Sequence, residues 1–216
     1  MLLLKLSMQV AKIILNRMSL SRLSNLRWIK QLLLLSLFAL TACSSQAQPT
    51  VAAWPAFNCN TNAVSITFVD LRICTSAETY SKVEVLAGST PTIVFEQGET
   101  RFDALSYESA DKALSSLPAR LEVTNARQVL DALFSWRDNP NRTLQQQALL
   151  EVFGIEAKTR LMQFTNDDLA AYVRVNEGAA DNTVFIIVGD SNNIYRLIGN
   201  FNEADVQQWL SLISVV

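Results

Sequence analysis

The 216-residue chain is half hydrophobic and carries 18 basic and 20 acidic side chains, three cysteines and no histidine. The missing histidine excludes Ser-His-Asp and Cys-His catalysis, H-E-x-x-H zinc sites and histidine acid/base chemistry at neutral pH. Six of the basic residues and none of the acidic ones lie in the first 42 positions, so the remainder carries 12 − 20 = −8, a balance that disfavours nucleic acid and anionic lipid headgroups.

The chain opens on residues 1–17, continues through Arg27, Trp28, Ile29 and Lys30, and then runs from Leu32 to Leu40 with Ser36 as the sole non-apolar residue. A cationic stretch followed by a short apolar run reads as a secretory signal, too short for a stable span. It ends in Leu40, Thr41, Ala42 and Cys43, which resembles the lipobox of bacterial lipoproteins.

That resemblance covers the start of the chain only. It implies cleavage between Ala42 and Cys43, a diacylglyceryl thioether on Cys43 and acylation of the new amino terminus. Two acyl chains already suffice for stable anchoring. Ser44 stands where the family's inner-membrane retention signal usually has Asp, so the resemblance implies an outer-membrane location facing the periplasm. A released segment of 42 residues exceeds the usual 15 to 30, whereas translation from Met18 would release 42 − 17 = 25. Met18 is therefore the expected start.

The next segment, "SSQAQPTVAA" at 44–53, is small, polar and uncharged, and reads as a flexible tether with a root-mean-square reach of roughly 18 Å. Residues 54–216 then suit one globular domain. Val64, Ile66 and Phe68 alternate with polar residues, and the parity shifts to Val69, Leu71 and Ile73, which predicts one strand with a bulge near Phe68. "KVEVLAG" and "PTIVFEQGE" read as two further strands.

Ser109 caps a predicted helix in "SADKALSSL", and "ARLEV" reads as a short strand. Thr124 or Asn125 caps "ARQVLDALFSWRD", where Val129, Leu130, Leu133 and Phe134 form an apolar stripe. "NRTLQQQALLEVFG" gives a second helix ended by Gly154, and the two predict a helical hairpin. "LAAYVRVNE", "TVFIIVG" and "NIYRLIG" predict a three-strand meander, with "DSNN" as a turn, and Asn202 caps the terminal helix "EADVQQWLSLI". The expected class is α+β, an antiparallel sheet carrying the hairpin and the C-terminal helix.

Cys59 and Cys74 are expected to form a structural disulfide, with two separate thiols as the alternative. Glu96, Glu99 and Asp103 lie close together in sequence, as do Asp167 and Asp168, and a carboxylate glycosidase needs only two acids at a defined separation. Asp167 and Asp168 follow Thr165 and Asn166 at an expected helix start, where carboxylates favour the macrodipole. "GDSNN" at 189–193 resembles the opening of one esterase class, which requires a late histidine this chain lacks.

No nucleotide-loop or nucleophile-elbow motif occurs. No metal and no cofactor is expected, because "DSNN" lacks the spaced acids of a calcium loop. Trp54, Trp136 and Trp209 are expected in the core or at its rim, and Tyr172 and Tyr195 are expected to pack across neighbouring strands. The expected function is a non-enzymatic, lipid-anchored envelope protein that binds another protein or stabilises an assembly. The alternative is an immunity lipoprotein that neutralises a basic toxin delivered into the periplasm.

Overall fold

The computed structural model describes residues 51–60, 62–75, 80–98, 101–114, 117 and 125–216. The expected signal, Ala42, Cys43, residues 44–50, the "ARLEV" segment and Glu99 lie outside the described residues. In chain order the elements are β1 (Val51–Ala53), β2 (Val64–Phe68), β3 (Leu71–Thr75), β4 (Lys82–Leu86), β5 (Thr92–Gln97) and β6 (Arg101–Ser109). Next come α1 (Ala110–Ala113), α2 (Ala126–Arg137), α3 (Leu144–Val152), β7 (Arg160–Thr165), β8 (Leu169–Val175) and β9 (Asn182–Val188). The chain closes with β10 (Asn193–Gly199), α4 (Glu203–Ser211) and β11 (Ile213–Val215).

The class is α+β, as the sequence predicts. Eight strands form one sheet in the order β1-β7-β8-β9-β10-β6-β5-β4, and three form a second in the order β11-β3-β2. Every pairing is antiparallel except that of β1 with β7. The predicted meander is β8, β9 and β10, and α2 and α3 form the predicted helical hairpin.

Both faces of the large sheet are covered. Val173, Val184, Ile186, Tyr195, Leu197 and Leu105 share a core with Leu71 and Ile73 of β3 and with Trp209 and Leu210 of α4. Ala170, Tyr172, Phe185, Ile187 and Ile194, from the alternate positions, share a second core with Val129, Leu130 and Leu133 of α2 and Leu150 of α3. A strand buried on both sides has no polar face to alternate, which accounts for the unbroken apolar run of β9.

Helix ends follow the sequence closely. The side chain of Ser109 accepts the Lys112 N–H, Asn125 caps α2, and Thr143 with Gln146 and Asn202 with Asp205 close reciprocal capping boxes on α3 and α4.

Three expectations are corrected. Residues 64–73 do not form one bulged strand: β2 and β3 pair from Phe68↔Leu71 to Val64↔Thr75 across a two-residue turn. The parity shift marked a reversal because Val69 takes φ 58°, the backbone turn a hairpin needs, at a residue where sequence gives no glycine signal. Val51–Ala53 is the edge strand β1 and not tether, since Trp54 anchors it: its N–H donates to the Thr165 carbonyl (2.8 Å) and its indole N–H to that of Leu210 (3.1 Å). Residues 165–169 are a strand-to-strand turn, not a helix start. The Asn166 side chain accepts the N–H groups of Asp168 and Leu169 at 2.9 and 2.6 Å, an Asx turn that shares its sequence signature with a helix cap.

Cys59 and Cys74 form the expected bridge, with Cα atoms 5.6 Å apart, tying the segment after β1 to the central strand of the small sheet. Replacing both by serine is expected to lower unfolding free energy by roughly 3 kcal/mol, as the loop spans 15 residues, in a denaturant titration. Val69 is half exposed, so glycine there relieves the positive φ without opening a cavity. Val69→Gly is expected to raise the denaturation midpoint, with a gain of about 1 kcal/mol after the added freedom of the unfolded chain.

Candidate functional site

Four connections meet at one end of the large sheet: the start of β7, the β8–β9 loop, the β10–α4 loop and the first turn of α4. Between them lies a cleft of about 860 Å³ with Lys158, Arg160, Asn176, Glu177, Asn182 and Glu203 in its walls. Its floor is a closed network of amides. The Asn182 amide donates to the Phe201 carbonyl (2.6 Å) and its carbonyl oxygen accepts the Asn176 N–H (2.8 Å). Thr159 donates its hydroxyl to the Asn176 side-chain oxygen (2.6 Å), and the Asn176 amide donates to the Gly154 carbonyl (3.2 Å). Buried polar groups persist when their partners are supplied internally, as they are for this floor.

The rim is charged, with Lys158 and Arg160 against Glu177, Glu203 and Asp205. Arg160 pairs with Glu203 at 2.8 Å on the surface, and Asp205 is engaged in the α4 capping box. Such walls can bind a polar partner through amides and exposed charge.

Among the described residues, Glu96 and Asp103 are not brought together with Asp167 and Asp168. Asp103 faces Phe95 across the β5–β6 ladder, is buried, and accepts the Trp209 indole N–H at 3.3 Å. Its neighbour across β10 is Gly199, where any side-chain carbon would collide with the carboxylate. Glu96 lies one position along β5 and so on the opposite face, within 3.7 Å of Lys82. Asp167 and Asp168 sit in the turn at the far end of β8, six residues or roughly 20 Å along the sheet from the Asp103 row.

No family model, no curated protein and no solved structure matches this chain. Its site therefore rests on geometry alone. Among the described residues there is no group of three metal-ligating side chains, and no helix is long and apolar enough to cross a membrane.

Sequence reasoning missed the amide floor. The signal was available in "VNEGAADN" and "GNFNE", where asparagines punctuate strand ends, but a turn-forming asparagine and one buried in a network read alike in sequence. The three tryptophans are placed as expected, with Trp54 and Trp209 buried and Trp136 half-buried. Tyr172 and Tyr195 do not pack on each other: they belong to opposite faces, with β9 between their strands. Tyr172 meets Phe134 edge-on, and Tyr195 meets Phe68 and Tyr107.

Neither tyrosine opens on the cleft, and both are held protonated. Burial raises the Tyr172 phenol far above its ordinary 10.0, helped by its hydrogen bond to Asp131 (2.6 Å). Burial also raises Tyr195, whose hydroxyl accepts the Asp70 N–H at 2.9 Å, a bond that opposes the shift. Unfolded tyrosines ionise near pH 10 and the folded ones do not, so above pH 10 the unfolded state holds fewer protons. Stability is then expected to fall as pH rises, by about 1.4 kcal/mol per pH unit for each tyrosine. Denaturant titrations from pH 9.5 to 11.5 check this, and Tyr172→Phe is expected to shallow the slope.

Proposed function

We propose that this chain is a lipid-anchored cell-envelope protein, attached through Cys43, that binds another protein and catalyses nothing. The observation that carries the reading is the sequence order of cationic stretch, apolar run and Leu40-Thr41-Ala42-Cys43, followed by uncharged residues and a folded unit. Anchoring by acyl chains needs no membrane-spanning helix. The Cys59–Cys74 bridge suits an oxidising compartment outside the cytosol.

Protein binding fits the cleft at the sheet end better than small-molecule chemistry does. Its walls include amides and the surface Arg160–Glu203 pair, its floor is already hydrogen-bonded, and the whole chain lacks the histidine that most neutral-pH acid/base sites use. The charge of −8 over residues 43–216 favours a basic partner and keeps the immunity reading as second choice, in which that partner is a delivered toxin.

Cys43→Ala is expected to abolish fatty-acid labelling and to move the protein from the membrane to the soluble fraction. Labelling retained in that variant overturns the anchor. In-cell cross-linking of the tagged full chain, read by mass spectrometry, is the companion experiment: one stoichiometric partner supports the binding role, and its identity separates assembly from immunity.

A further inference from the structure

The large sheet ends on β4, and among the described residues no strand lies beyond it. Folded proteins blunt such edges with proline, bulges or charged side chains, since an open row of N–H and C=O groups recruits other strands. β4 has no proline and no bulge, and Lys82 and Glu84 are its only charges. Its sequence, "KVEVL", pairs with β5 in unbroken register, and Val85 and Leu86 are 63% and 51% exposed. Its two charges are opposite in sign and share one face, Lys82 lying 2.7 Å from Glu84. They remain half open to solvent.

That arrangement is self-complementary. Residues directly opposite in an antiparallel pair project from the same face, so only a few two-fold alignments of β4 with its own copy keep the core face continuous. A two-fold axis at Glu84 sets that carboxylate against itself. An axis at Val85 sets Glu84 against Leu86. An axis at Val83 sets Val83 against Val83 on the core side, and on the other side places Lys82 opposite Glu84 of the second copy and Glu84 opposite its Lys82.

We infer that β4 is a homotypic docking edge: two copies of this chain associate antiparallel about Val83, joined by backbone hydrogen bonds and two reciprocal Lys82–Glu84 pairs. The other edge of the sheet, β1, is three residues long and parallel to its neighbour. It offers a shorter template. The five-residue β4 edge makes a small interface, so association depends on local crowding of the copies.

The test uses two differently tagged full-length copies, co-expressed and cross-linked in the cell before purification through one tag. Wild-type copies are expected to co-purify. Lys82→Glu in both copies, or Glu84→Lys in both, is expected to reduce the captured copy about tenfold, since each reciprocal pair becomes a repulsion. Co-expressing a Lys82→Glu copy with a Glu84→Lys copy is expected to restore capture, because every opposing pair is again of opposite sign. Absence of wild-type capture, insensitivity to either reversal, or failure of the mixed pair overturns the inference.

A second reading needs no variant. Carbodiimide coupling of light- and heavy-isotope wild-type copies is expected to give a mixed-isotope Lys82–Glu84 linkage. Linkages within single copies alone count against the dimer.

Discussion

The ladder between β6 and β10 holds the two halves of the molecule together. Seven residue pairs, from Asn193↔Ser109 to Gly199↔Asp103, join a meander formed late in the chain to the β4–β6 strands formed early. The apolar contacts on both faces depend on that alignment. A one-residue slip would turn Leu105 and Leu197 out of one core and carry the Ser106 and Arg196 row into it. The register is fixed at its end by Gly199, which alone leaves room for the buried Asp103 carboxylate, and Asp103 in turn receives the indole of Trp209 from α4. One glycine thus connects sheet register to the docking of the last helix.

Two cores back to back tie both covering layers to the same strands. The meander strands carry large side chains in both directions, so neither covering layer can shift without disturbing the same backbone. The tyrosines show how polarity is accommodated within this arrangement. Tyr172 sends its hydroxyl to Asp131 on α2, and Tyr195 sends its own to the turn after β2, so each large ring is buried while its polar end fixes a covering element in place.

Much of this was legible in the sequence, and the reasons differ by element. The capped helices were readable because Ser109, Asn125, Thr143 and Asn202 act locally, on N–H groups two or three residues away. The meander was readable because strand alternation and turn residues are also local. β6 was not, although it is the longest strand, because "RFDALSYES" mixes a buried Asp103 and Glu108 with small residues whose burial depends on distant partners: Trp209 for the one, Arg196 for the other. β1 and β11 were missed for a related reason. Three-residue strands carry no period and exist only because β7 and β3 offer them an edge. The same limit applies to the cleft, whose amide floor is assembled from residues 154–201 by the sheet and not by any contiguous motif.

The small sheet has a further consequence, in the order of assembly. Its central strand β3 pairs on one side with β2, its near neighbour in sequence, and on the other with β11 (Ile213–Val215), far along the chain. A chain emerging from its N-terminus cannot complete that sheet until residues 213–215 are present. Contacts so distant in sequence close slowly. The small sheet therefore closes by a long-range pairing of β3 with β11, after β2 and β3 have already met as a local hairpin.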